Sequence, residues 1–185
     1  MPEIKAAVCH TFGEPLTIET VHLDAPKESE IEVKLGAVAV CHSDISYADG
    51  AWGGTLPAVY GHEAAGEITA LGTSVYGLNV GDRVVVTLIR ACGHCINCGS
   101  GKPTICLTEV DRTAGPLSMT DDGLLEHGMN CGAFAEKVVV DQSQVVKISN
   151  NIAYEVASLL ACGVLTGIGA VVHAAKVRPG EDVVV

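Results

Sequence analysis

Aromatic residues are scarce in this chain. One Trp, four Tyr and two Phe make up 4% of 185 residues, beside 21 glycines. That profile fits many short strands joined by glycine turns. Basic residues are also few, 11 against 22 acidic, for a net charge of −11. So acidic a chain lacks the basic patch that binding to a phosphate backbone needs, which excludes a general nucleic-acid binder. Disorder is excluded as well, because 48% of residues are hydrophobic and only 18% charged.

The opening Met1-Pro2-Glu3-Ile4-Lys5 is not followed by a basic stretch and an apolar core, so no secretion signal is expected there and a cytoplasmic location is. In a reducing compartment, eight cysteines point to metal rather than to disulfides. The segment from Val156 to Lys176 carries no charge before the lysine and is about as long as a membrane span. It also holds Gly163, Thr166, Gly167, Gly169 and His173, so a buried pair of short helices is expected and no membrane partner.

Strands are expected over 4–9, 31–40, 67–71, 84–89, 134–140 and 144–148, with a short helix from His42 to Asp49. Residues 91 to 130 are rich in Gly, Cys, Thr, Asp and Pro, and so long a loop needs something to staple it. After Asn151 the spacing of Ile152, Val156, Leu159 and Leu160 is helical. A second helical run is expected from about Thr166 to Ala175, and Val183-Val184-Val185 reads as the start of an apolar strand.

Cys92, Cys95, Cys98 and Cys106 form C-x2-C-x2-C-x7-C within fifteen residues. Four thiolates close the tetrahedron that zinc takes in structural sites, and metal binding then supplies the folding energy the loop lacks. Free or redox-active thiols and an iron–sulfur centre are the competing readings. His94, inside the cluster, is read as a solvated loop residue. Outside it, Cys41 opens Cys41-His42-Ser43-Asp44, His62 lies in Gly61-His62-Glu63, and Cys162 in Ala161-Cys162-Gly163. Each alone reads as an ordinary core or surface residue, and spacing leaves a second metal site open. Cys9, Cys131, His10, His22, His127 and His173 are read as ordinary core or surface residues. Trp52 is a candidate for lining a substrate pocket.

Taken together, Gly61-His62-Glu63-x2-Gly66-x5-Gly72-x2-Val75 followed by Gly81-Asp82-x-Val84 resembles the signature of zinc-dependent medium-chain alcohol dehydrogenases. The four-cysteine loop falls where that family carries a structural zinc. Cys41-His42-Ser43-Asp44 resembles its first catalytic ligand segment, and Cys162-Gly163-x2-Thr166-Gly167-x-Gly169 its last. The match runs over essentially the whole chain.

The resemblance implies a mainly β fold with some α: a co-chaperonin-like (GroES-like) β-barrel with a structural-zinc lobe, ending before a Rossmann domain. Residues 1–155 would be the catalytic zinc-binding barrel and 156–185 the helices and first strand leading into a nucleotide-binding domain. It implies a catalytic zinc on Cys41, His62 and Cys162, a ligand set that comes from the family and not from spacing. Ser43 would start a proton relay, Asp44 would orient His62, and Glu63 would neighbour the zinc. His42 would contact the cofactor pyrophosphate, and Thr166 would pack near the nicotinamide. The parent would transfer hydride between an alcohol or aldehyde and NAD or NADP, as a homo-oligomer.

There are two departures. The relay histidine of liver-type members falls at Ser46, and the Gly-rich G-x-G-x-x-G loop, which in the family comes directly after a strand like Val183-Val184-Val185, is absent from these 185 residues. The expectation is therefore that the chain as given does not turn over alone. Its last strand should fray, and its last helix should expose apolar surface. The Asp121 to Ala133 region looks more like the aryl-alcohol and thiol-adduct formaldehyde dehydrogenase branch than the liver type. A non-catalytic zinc-binding or interaction module, and a zinc-dependent polyol dehydrogenase or reductase, are the alternatives. A carboxylate in place of Cys162 would favour the polyol enzymes.

Overall fold

A computed structural model describes residues 2–184. Ten strands alternate with short helices: β1 (Glu3–Cys9), β2 (Thr17–Leu23), β3 (Glu30–Ala39), α1 (His42–Ala48), β4 (Ala58–Val59), β5 (Glu63–Leu71), β6 (Arg83–Thr87), α2 (Ile96–Gly99), β7 (Leu117–Met119), β8 (Glu126–His127), β9 (Lys137–Asp141), β10 (Val145–Lys147), α3 (Tyr154–Ser158) and α4 (Gly163–Gly169). They form two five-stranded sheets, β7-β2-β1-β4-β8 and β10-β6-β5-β3-β9. Every pairing is antiparallel except β4 with β8.

The run from Phe134 to Glu136 seams the two sheets into a barrel. On one side Ala7 N–H donates to the Phe134 carbonyl at 2.8 Å and Glu136 N–H to that of Lys5 at 3.0 Å. On the other, Leu35 N–H donates to the Glu136 carbonyl at 3.0 Å. Alternation in β9 then serves both interiors. Val138 and Val140 enter the core shared with Ile31, Val33 and Ile68, while Val139 enters the one shared with Ile4, Val21 and Leu125. Small β-branched residues fill these cores, as the scarcity of aromatics requires.

The helices after β10 are docked by one aromatic residue. Tyr154 of α3 packs where a Cβ on Gly36 would stand, and the Arg83 guanidinium lies 3.9 Å from the centre of its ring. A glycine in β3 therefore fixes α3, and α3 fixes the turn that carries Cys162.

The strand expectations hold with shifted ends. β5 starts at Glu63 rather than Glu67, and β2 and β4 come in addition. The 91–130 stretch is less irregular than expected, since it contains α2, β7 and β8. The second helical run starts at Gly163 and widens into a π-helix over Ala170–Ala174. The pair Tyr154–Ala161 and Gly163–Ala174 is bent by 48°, and no single described helix is long and apolar enough to cross a membrane. The expected burial is corrected. Only Ala157, Ser158 and Ala161 are buried, while Val156, Leu165, Ile168 and Val172 are exposed, because this pair meets the barrel through one end alone. Val183 and Val184 lie in no strand, since no described strand pairs with them; Val185 lies outside the described residues.

His127 closes the β8 end of the first sheet. It is buried, its Nε2–H donates to the Cys131 carbonyl at 2.8 Å, and desolvation lowers its pKa from 6.5 to about 4. The folded chain thus resists a proton that the unfolded chain accepts. Stability is full above pH 6.5 and falls as pH drops toward 4, by about 3 kcal/mol from this residue. Urea titrations across that range should show the loss. An NMR titration should keep the His127 imidazole neutral down to about pH 4; protonation near pH 6.5 would contradict the burial.

Candidate metal centres

Two groups of donors converge. In the first, the sulfurs of Cys92, Cys95, Cys98 and Cys106 lie within 4.8 Å of one another. Cys92 Sγ is 4.0 Å from Cys98 Sγ, and Cys95 Sγ is 3.9 Å from Cys106 Sγ. A disulfide is about 2.05 Å, whereas the edge of a zinc–thiolate tetrahedron with bonds of about 2.3 Å is about 3.8 Å. All eight cysteines are free.

Backbone N–H groups point at the same sulfurs: Cys95 N–H toward Cys92 at 3.3 Å, Cys92 N–H toward Cys106 at 3.4 Å, and Thr108 N–H toward Cys106 at 3.4 Å. Hydrogen bonds from Thr108 and from the backbone at His94 and Cys95 draw the Cys92 thiol down to about 5, and desolvation pushes Cys98 up to about 11. Four sulfurs this close cannot all ionise unless a cation sits among them. The set fits a divalent, thiolate-loving metal. His94 points away, exposed, its Nδ1–H on the Cys92 carbonyl at 2.8 Å.

The second group is assembled from three separated segments. Cys41, His62, Glu63 and Cys162 bring one donor atom each within 4.8 Å of the others. Cys41 immediately precedes α1, His62 immediately precedes β5 and Glu63 opens it, and Cys162 precedes α4. Asp44 ties the first two segments together. One carboxylate oxygen accepts His62 Nδ1–H at 2.9 Å and Gly61 N–H at 3.0 Å, and the other accepts Cys41 N–H at 2.9 Å.

Gly61 is required at its position. Its φ is +93°, and a Cβ there would come within 2.6 Å of the Phe134 nitrogen. Glu63 ties in the third segment, its carboxylate accepting Gly163 N–H at 3.1 Å.

With Nδ1–H committed to Asp44, His62 Nε2 carries the free lone pair, and it is buried with no hydrogen-bond partner. A buried polar atom left in this state costs about 1–3 kcal/mol, which a metal would remove. Desolvation pushes the Cys162 thiol up; the charges of Glu63 and Cys41 act the same way, and a Thr166 hydrogen bond opposes them. The residues of this group fit a cation.

Of the other expected site residues, one has a measured place beside this group. Thr166 Oγ1 is 3.7 Å from Cys162 Sγ. His42 is exposed, and Ser43, half-buried, faces a cavity of about 270 Å³ shared with Trp52. Ser46 lies in α1. Sequence reasoning missed Tyr154 and Gly36, which position Cys162 through contacts remote in the chain. It also missed Arg112, which lines the Ser43 cavity without any motif to mark it.

A small β-barrel carrying one four-thiol cluster and one separate Cys2His group beside a carboxylate defines a class of barrel domains with two candidate metal centres. The chain belongs to the alcohol dehydrogenase GroES-like domain family, whose profile matches residues 27–150. It is 37% identical over 190 residues to an S-(hydroxymethyl)glutathione dehydrogenase of Synechocystis, covering 98% of this chain and 51% of that protein. It is 36% identical to the NDMA-dependent alcohol dehydrogenase of Amycolatopsis methanolica, covering 98% and 50%.

Among solved structures, an alcohol dehydrogenase zinc-binding domain protein from Burkholderia ambifaria superposes with a TM-score of 0.90 at 32% identity. Benzyl alcohol dehydrogenase from Acinetobacter calcoaceticus superposes with 0.87 at 30%. Both matches cover 98% of this chain and 51% of the other. The chain spans about half the length of the curated relatives it matches.

Two substitutions should separate the centres. Cys98→Ser should remove one metal per chain and open residues 91–110 to protease, leaving the His62 group loaded. Asp44→Asn should leave the four-cysteine cluster unchanged and weaken metal at the His62 group by about 10–100-fold, measured by chelator competition. An unchanged affinity would show that Asp44 does not set the imidazole.

Proposed function

We propose that this chain is the alcohol-handling, zinc-holding part of a dehydrogenase that moves hydride between an alcohol or aldehyde and NAD or NADP. The observation that supports it best is the meeting of Cys41, His62 and Cys162 around a buried, unpartnered imidazole nitrogen. In this reading those three residues hold the catalytic zinc, and Cys92, Cys95, Cys98 and Cys106 hold a structural one. Bound zinc supplies Lewis acidity that lets an alcohol lose its proton near neutral pH, and the nicotinamide supplies the hydride acceptor.

The chain's own residues do the positioning. Asp44 fixes the tautomer of His62 so that Nε2 faces the cluster. Two thiolates balance a divalent charge, so the neutral imidazole adds none. Glu63 keeps the Cys162 turn against β5 through Gly163 N–H. Ser43 takes the alcohol proton and passes it to solvent, because position 46 holds Ser rather than a relay histidine. Exposed His42 meets the cofactor pyrophosphate, and Thr166, beside Cys162, packs near the nicotinamide. Residues 1–155 form the catalytic unit and 156–185 the lead into a nucleotide-binding part. A cytoplasmic homo-oligomer is the expected parent.

Cobalt reconstitution tests the reading. Two cobalt ions per chain are expected, with visible bands that shift when an alcohol is added. The shift should vanish in Cys162→Ser while the four-cysteine signal stays. One cobalt per chain, or two with bands indifferent to alcohol, would overturn it.

A further inference from the structure

The cavity at Ser43 has walls that say more about the substrate than the metal ligands do. Its volume is about 270 Å³, and Tyr47, Trp52, Met129 and Arg112 line it with Ser43. About 150 Å³ is enough to hold a benzene ring, so there is room here for a ring and a substituent. Trp52 is 58% exposed and stands edge-on to Tyr47, ring centres 5.2 Å apart at 89°. This places an open aromatic face beside the hydroxyl assigned to the alcohol proton.

Another part of the lining is strained. Met129 (φ 53°, ψ 30°) and Asn130 (φ 57°) are consecutive non-glycine residues in the left-handed region. Such a pair persists only where its surroundings over-determine it. Here buried Gln144 donates from Nε2 to the Asn130 and Thr87 carbonyls, each at 2.9 Å. The kink brings a thioether, a good neighbour for an aromatic edge, into the cavity.

Arg112 supplies the charge. Its Nη1 is 3.5 Å from Glu126 Oε1, and among the described residues the guanidinium donates no hydrogen bond. Glu126 is held on its far side by Thr55 N–H at 2.8 Å and is buried, whereas the Arg112 side chain is 34% exposed. The fork is thus anchored on one side, with its remaining N–H groups unspent next to an aromatic wall. A carboxylate is the group whose geometry matches it.

We propose that this cavity receives the organic part of the alcohol or aldehyde and selects an aromatic ring carrying an anionic group, with the ring between Trp52 and Met129 and the anion on Arg112. The assignment rests on the dehydrogenase reading and names its substrate class. Trp52 is the only tryptophan in the chain, so intrinsic fluorescence reports from this cavity alone.

The zinc-loaded protein is titrated with 4-(hydroxymethyl)benzoate, benzyl alcohol and cyclohexylmethanol. The carboxylate should bind about tenfold tighter than benzyl alcohol, as one charge-assisted pair implies, and benzyl alcohol should bind tighter than its saturated analogue. Arg112→Gln should abolish the tenfold preference of the carboxylate over benzyl alcohol, while Arg112→Lys should keep part of it. Equal binding of the three ligands to the unaltered protein would overturn the proposal whether or not the Gln variant folds. So would a preference that survives in Arg112→Gln. Cobalt bands that respond to alcohol while the ligands are not discriminated would sink this inference and leave the dehydrogenase reading standing.

Discussion

The structure turns on the carboxylate of Asp44. It is buried, and it accepts from His62 Nδ1, Gly61 N–H and Cys41 N–H, at 2.9, 3.0 and 2.9 Å. The anion joins the start of α1 to the start of β5 and sets which imidazole nitrogen is left for a ligand. Hydrogen bonds to a charged acceptor contribute about 1.5–3 kcal/mol each, and they are strongest where water is excluded. Removing this charge would unsettle two donors at once. That is why the first two donor segments meet although Cys41 and Gly61 are 20 positions apart.

The third segment is held by different means. Cys162 reaches the group because Tyr154 docks α3 over Gly36, because Arg83 covers the ring, and because Glu63 accepts Gly163 N–H. The barrel therefore carries two ligands on its own strands and loops, and it holds the last through packing. The four-cysteine cluster depends on neither device. Its donors lie within one loop, their amides directed at their own sulfurs, and it is built for a cation that keeps the loop folded.

Much of this was legible in the chain. The four-cysteine spacing predicted its own convergence, because four thiols so closely spaced in one loop can wrap a single ion without strain. Cys41, His62 and Cys162 were readable only through the family resemblance, since the first and the last are 121 positions apart and no local pattern links them. β4 and β8 were invisible because each has two residues, and β2 because Thr17 and Ile18 are both exposed and Glu19 and Thr20 both half-buried, which blurs the alternation. Met129 and Asn130 carry no turn signature that would announce a left-handed kink; tertiary bonds to Gln144 impose it. The exposed apolar side of α4 was foreseen, but the burial expected for the whole helical pair was not met, because uncharged residues were read as interior ones.

The central claim is that two zinc ions sit in two different environments, one purely sulfur and one built around an oriented imidazole. Anomalous scattering from a crystal, collected on both sides of the zinc edge, tests this most directly. The account predicts two peaks. One should be equidistant, at about 2.3 Å, from the sulfurs of Cys92, Cys95, Cys98 and Cys106; the other should be bonded to Cys41, Cys162 and His62 through Nε2. A single peak, or a second one bonded through His62 Nδ1 or lying away from the imidazole, would contradict it.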